Sequence, residues 1–200
     1  MLPTTDLKQR LCAALNTPGA ASSDFDLNVG MLTPENPLTD AAVLIAFMPS
    51  DNAIDLVLTK RSSALKHHPG QIAFPGGKFD HSDGDLKTTA LREAYEEIAL
   101  PSSDVEVLGM LPPHQTVTSF QVNPYIGWIN TPVAFKPEPG EVSEVFRVPA
   151  AHILNPANYR VEGRYWRGQM RRYYAVPYGP YYIWGATARM LRSLAEQMST

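Results

Sequence analysis

The feature that most restricts this chain is Glu93-x-x-Glu96-Glu97, carried on a segment of helical spacing between a Phe74-Pro75-Gly76-Gly77 turn and Pro101. At about 100° per residue the three carboxylates fall within roughly 100° of arc, and Leu91, Ala94, Tyr95 and Ile98 fall on the other side. The spacing predicts a helix from Leu86 to Ala99 with one dry face and one acid face, ended because a residue before proline is pushed out of the helical region. Carboxylates three and four positions apart stand about 5–6 Å apart at Cβ and repel by a few tenths of a kcal/mol per pair. A divalent cation would offset that repulsion. The plainer reading is a solvated acid face on which Arg92 pairs with Glu96, a contact worth only about 0.3–0.5 kcal/mol. Two adjacent glycines at a set distance before the helix favour a site, because they allow the backbone to approach a ligand or the helix closely.

Oxygen ligands without nearby cysteine or a histidine pair point to Mg²⁺ or Mn²⁺. Magnesium held by a few carboxylates is completed by water and substrate phosphates, which points to phosphoryl chemistry. Glu93 and Glu97, four apart on one face, lead as metal ligands, with Glu96 third. Lys60, Arg61 and His68 place positive charge ahead of the glycine turn, where they could hold phosphate. Glu97→Gln is expected to remove turnover and shift melting by only a few degrees, because the acid face is read as solvent-facing.

The stretch from Gly77 to Leu100 resembles the Nudix box, G-x5-E-x7-R-E-U-x-E-E-x-G-U with U aliphatic. Arg92-Glu93-Ala94-Tyr95-Glu96-Glu97-Ile98-Ala99-Leu100 fills its second half. Asp83 stands where the pattern has glutamate, eight residues rather than seven separate it from Arg92, and Ala99 replaces the late glycine. Upstream, Leu58-Thr59-Lys60-Arg61-Ser62, Leu65, His68, Gly70, Gln71, Ile72 and Phe74-Pro75-Gly76-Gly77 look like the signature of the coenzyme A pyrophosphatase branch. Leu111-Pro112-Pro113, Glu141-Val142, Val145-Phe146 and Ile183-Trp184-Gly185-x-Thr187 agree with that branch. The resemblance spans most of the chain from Ala41 to Leu194.

The resemblance implies an α/β fold, a Nudix-type α/β/α sandwich with a mixed sheet. It also implies metal-dependent hydrolysis of the diphosphate linkage of coenzyme A, or of an acyl derivative, to adenosine 3′,5′-bisphosphate and 4′-phosphopantetheine. It carries the metal role onto Glu93, Glu96 and Glu97, and the catalytic role onto Glu93, Glu96 and a later loop acid, Glu141 ahead of Glu144. Gly76 and Gly77 join Lys60, Arg61 and His68 in substrate binding, and Arg92 and Asp83 support the site. Two alternatives stay open: a Nudix hydrolase of another nucleoside diphosphate derivative such as ADP-ribose, and a nucleotide-binding Nudix module without catalysis.

A chain of 200 residues suits one domain, divided here into an N-terminal helix and covering arm, 1–40, and a body, 41–200. A net charge of −3 argues against a nucleic-acid polymer as partner, and no apolar run is long enough for a membrane span. The expected partner is a small-molecule substrate; the oligomeric state stays open, a homodimer among the options. Cys12 is the only cysteine, and the first residues lack a long apolar segment, so the cytoplasm is the expected location. Ala41 to Phe47 and Ile54 to Thr59 read as strands around an Asp51-Asn52 turn, a hairpin. Tyr159 to Val176 reads as antiparallel strands around Gly163 and Gly168, and Ile183 to Met198 as a terminal helix.

Overall fold

Apolar residues fill both alternating sets of Ala41 to Met48, so this segment belongs in the middle of a sheet covered on both faces. The computed structural model describes residues 4–28, 37–51, 53–166 and 168–199. Its elements begin with α1 (Thr4–Leu15), β1 (Ser22–Ser23), β2 (Thr39–Ser50), β3 (Ala53–Arg61), β4 (Ile72–Ala73), β5 (Gly76–Lys78) and α2 (Leu86–Ile98). They continue with β6 (Val105–Met110), β7 (His114–Gln115), β8 (Phe120–Ile129), β9 (Val142–Pro149) and α3 (Ala150–Ile153). The last are β10 (Arg160–Trp166), β11 (Gln169–Ala175) and α4 (Ala186–Gln197).

The large sheet is mixed. β2 runs parallel to β8 and antiparallel to both β3 and β5. β9 borders β3, and the far edge of β8 is shared by β6 and β7. On one face Ala42, Leu44, Ala46 and Met48 of β2 pack against Ala90, Ala94 and Ile98 of α2. On the other, Ile45 and Phe47, with Leu56 and Leu58, meet Leu7 and Leu11 of α1, Ile153 of α3 and Leu191 and Leu194 of α4. Helices on both faces of a mixed sheet make the α/β sandwich that the pattern predicts. Among the described residues no helix is long and apolar enough to cross a membrane.

The hairpin joins at Ser50 and Ala53; Asn52, read as part of its turn, lies outside the described residues. The arm is tied down more than its composition suggests, since β1 pairs in parallel with β7. The ribbon of β10 and β11 stands as a separate two-stranded sheet.

One face assignment on α2 is corrected. Tyr95 is 60% exposed, whereas Glu97, read as solvent-facing, is buried at 3%. Taking Glu93 as zero, Ala90, Ala94 and Ile98 centre the buried arc near 100°, with Glu97 at 40° inside its margin and Tyr95 at 200° beyond it.

The helix ends one residue before Ala99, which caps it in the left-handed region at φ 54°, with Leu100 N–H donating to Ala94 O. The Nudix pattern has glycine there because a Cβ is disfavoured in that conformation. Ala99→Gly is therefore expected to stabilise the protein by about 0.5–1 kcal/mol, a rise of about 1–4 °C in melting temperature by calorimetry.

A candidate active site where the acid helix meets the glycine turn

The turn Gly76–Gly77 is locked to the central strand, with Val43 opposite Gly76 and Ala42 opposite Gly77. A Cβ on Gly76 would come within 2.7 Å of Val43 Cα, and one on Gly77 would lie 2.6 Å from Glu93 Oε2. Both positions thus need glycine for space: one lets the strands close, the other makes room for the Glu93 carboxylate.

Arg92 organises the acids around it. Its Nε donates to Asp83 Oδ1 at 2.7 Å and its Nη2 to Asp83 Oδ2 at 3.1 Å, while Nη1 reaches Glu93 Oε1 at 2.9 Å and Glu96 Oε2 at 2.8 Å. Asp83 Oδ2 also accepts from Thr89 Oγ1 and the Asp80 N–H. The Arg92 guanidinium holds the Asp83 carboxyl down at about 2, and the Arg92 pKa is itself raised, chiefly by that contact. Asp83 therefore spends its acceptors on the protein, and the two-oxygen grip fixes the start of α2 against the turn.

Glu97 is different. Its Oε1 lies 4.0 Å from Arg61 Nη1, and its Oε2 is buried without a hydrogen-bond partner, as is Arg61 Nε. Burial pushes its carboxyl up to about 8; Arg61 opposes the rise, and the charges of Glu93 and Glu141 add to it. Glu93 is also raised, first by burial, with Arg92 opposing and Glu96 and Glu141 reinforcing. Glu93, Glu97 and Glu141 therefore share one electrostatic neighbourhood although Glu141 is remote in sequence. Backbone bonds bring it there: Ser62 N–H donates to Glu141 O at 2.8 Å, and Glu138 N–H to Glu97 O at 2.9 Å.

The donor set fits a hard divalent cation: carboxylates only, crowded, with one buried oxygen lacking a partner. Among the described residues no group of three or more such side chains is already drawn together to hold an ion. Arg92 accounts for part of that spacing, because it draws Glu93 and Glu96 toward itself.

Beside the acids lies a cleft of about 270 Å³, room for a nucleotide-sized portion of a ligand. Arg61 belongs to both, ion-paired to Glu97 and lining the cleft with His68, Gln71, Phe74, Trp184 and Thr187. Of the basic residues read from the sequence, Arg61 and His68 line it, whereas Lys60 is exposed on β3 and does not. Asp24, Arg164 and Arg171 also line it and were not singled out in the sequence. For the two arginines the signal was available: a hairpin turning at Gly168 places position 164 opposite 171. Asp24 carried none, since its approach depends on how the arm folds back. Glu144, the second choice among the loop acids, accepts a hydrogen bond from the Tyr181 hydroxyl at 2.6 Å.

Comparison with known proteins gives a match of residues 38–166 to the NUDIX domain family. A protein of Shigella flexneri serotype 5b (strain 8401) carrying the name "Uncharacterized Nudix hydrolase NudL" is 41% identical over 180 residues, 88% of this chain and 93% of its own. One of the same name from Escherichia coli (strain SMS-3-5 / SECEC) is 43% identical over 158 residues, 79% and 82% of the two chains. Among solved structures, the NUDIX domain of Shewanella oneidensis NrtR complexed with ADP ribose aligns at TM-score 0.48 and 20% identity, over 66% of this chain and 84% of that one.

Proposed function

This chain belongs to the Nudix family of hydrolases, which act on nucleoside diphosphate derivatives, and we propose that its substrate is coenzyme A or an acyl derivative, cleaved at the diphosphate linkage. The observation that carries the reading is a convergence. His68 and Gln71, from the signature before the box, and Trp184, Gly185 and Thr187, from more than a hundred positions later, line the same cleft beside the acid helix. Thr187 Oγ1 donates to Ile72 O at 3.1 Å, which fastens the late motif to the early one. Motifs read separately as belonging to one branch thus form one wall.

Nudix hydrolases generally use divalent metal ions. Here Glu93 and Glu97, with Glu96, would hold Mg²⁺ or Mn²⁺, which supplies charge neutralisation on the diphosphate and a bound water of lowered pKa. The chain's own residues do the rest. Arg61 faces the junction of acids and cleft and orients the diphosphate there. Gly76 and Gly77 keep the turn low enough for the linkage to approach Glu93. Glu141, exposed in a loop pinned to Ser62, would accept a proton at its carboxylate, with Glu93 and Glu96 the box acids that share that duty. Arg92 and Asp83 brace the helix start. The two departures from the box fall on Asp83 and Ala99, one held in a protein-internal ion pair and the other capping a helix. Neither removes a carboxylate from Glu93, Glu96 or Glu97, which favours catalysis over a binding-only role.

A panel of coenzyme A, acetyl-coenzyme A, ADP-ribose and NADH, incubated with the protein and Mg²⁺ or Mn²⁺, tests the assignment by mass analysis of products. The expected result is adenosine 3′,5′-bisphosphate from coenzyme A with kcat/KM at least about tenfold above that for ADP-ribose. Hydrolysis of ADP-ribose with coenzyme A untouched would overturn it.

A further inference from the structure

We infer that the β10–β11 ribbon is a receptor for a phosphomonoester at the nucleoside end of the substrate, with Arg164 and Arg171 as its donors. Arg164 and Arg171 are direct cross-strand partners, and both line the cleft. Opposite residues on antiparallel strands project from the same face with Cβ atoms about 4.5–5.5 Å apart, and like charges so placed destabilise the pair. A two-stranded ribbon has little stability to spare for this.

The surroundings hold both side chains in place while leaving the cleft positive. Arg171 Nη2 lies 3.0 Å from Asp24 Oδ2, and that carboxylate also accepts the Val117 N–H at 2.9 Å. Arg164 lies over Trp184, with its guanidinium carbon 4.4 Å from the ring centroid. Among the described residues, the lining contains three arginines, counting Arg61, and one carboxylate, Asp24. Arg61 lies against the acid helix, where the diphosphate is cleaved, so the ribbon pair serves a second anionic group farther along the ligand. A phosphomonoester carries about −1.5 to −2 charges near pH 7 and offers three acceptor oxygens, which two guanidinium forks match. Trp184 supplies a flat surface beside them for a base or for Arg164 itself. In the proposed substrate this group is the 3′-phosphate, and that identification rests on the coenzyme A reading.

The test is binding rather than turnover, so it can fail or succeed separately from the substrate assignment. The whole protein is titrated calorimetrically with adenosine 3′,5′-bisphosphate and with AMP, as wild type and as Arg164→Gln and Arg171→Gln. Wild type is expected to bind the bisphosphate at least about tenfold more tightly than AMP. Each single variant should cut that ratio severalfold, and the double variant should bring it within about twofold. Equal affinities in wild type, a ratio that survives both substitutions, or a loss of both ligands in parallel would each overturn the receptor. Arg164 is exposed, so Arg164→Gln keeps the test valid even if Arg171→Gln loosens the arm by freeing Asp24. Should the turnover panel favour ADP-ribose, the coenzyme A assignment falls and the binding ratio still decides the ribbon's role.

Discussion

Glu97→Gln is expected to lower kcat by about 10³-fold and at the same time to raise the melting temperature of the metal-free protein at pH 7.5 by about 5–10 °C. The two effects have one cause. The Glu97 carboxylate is buried at 3%, with Oε2 lacking any hydrogen-bond partner and Arg61 only at 4.0 Å. Glutamine has nearly the same shape and keeps an oxygen to accept from the Gly76 N–H, the backbone bond that Glu97 makes. It removes a buried carboxyl that can stay neutral at this pH only by holding a proton well above its ordinary range, so the native state gains about 2–3 kcal/mol while the metal loses a ligand.

The pH dependence gives the sign. The folded-state carboxyl sits at about 8, above the ordinary value of 4.5, because of burial and the neighbouring Glu93 and Glu141 charges. Below about pH 4.5 both folded and unfolded chains carry the proton and Glu97 costs nothing. As pH rises from there to about 8 the unfolded chain releases its proton first, so native stability falls across that window and then levels. The difference in melting temperature between variant and wild type should therefore widen from pH 5 to pH 8 and shrink when Mn²⁺ is added to wild type. A variant that melts below wild type at pH 8 would show the carboxylate to be a structural partner instead.

Gly77→Ala is the second large effect, with kcat/KM expected to fall at least about 100-fold although the fold persists. The new methyl would occupy the space of the Glu93 carboxylate, 2.6 Å from Oε2. Glu93 can swing outward, because its surroundings are only partly closed, so the substitution displaces a ligand rather than splitting the core. A misplacement of about 1 Å at a reacting centre costs on the order of 100-fold. Manganese affinity, followed by electron paramagnetic resonance, should drop about tenfold in parallel. Unchanged affinity with full activity would mean that Glu93 does not contribute at that position.

Much of this was legible because the signals were local. The apolar runs Ala41 to Phe47 and Ile54 to Thr59 read as a hairpin and pair as one, and the glycine turn and Pro101 bracketed the acid helix to within a residue of its observed end. The burial of Glu97 was hidden because the acid arc and the apolar arc overlap. Only the alanine stripe Ala90, Ala94 shows where the helix centres its contact, and alanines weigh little in a hydrophobic pattern. The short strand Gly76–Lys78 gave no strand signal, since glycine is a poor strand former; its place is set by pairing with β2. Asp24 lay beyond local reasoning for a different reason: its place depends on the arm reaching across to the ribbon, where it meets Arg171 nearly 150 positions later, whereas the facing of Arg164 and Arg171 follows from the hairpin itself.

The most direct measurement is the anomalous difference map of a crystal soaked in Mn²⁺ at pH 7.5. A peak between the Glu93 and Glu97 carboxylates, with Glu97 Oε2 turned onto it and Glu93 drawn off Arg92, is the expected result. An empty map there, with Glu97 still buried and unpaired and Glu93 still on Arg92, would contradict the claim that these acids are crowded together to hold an ion beside the cleft.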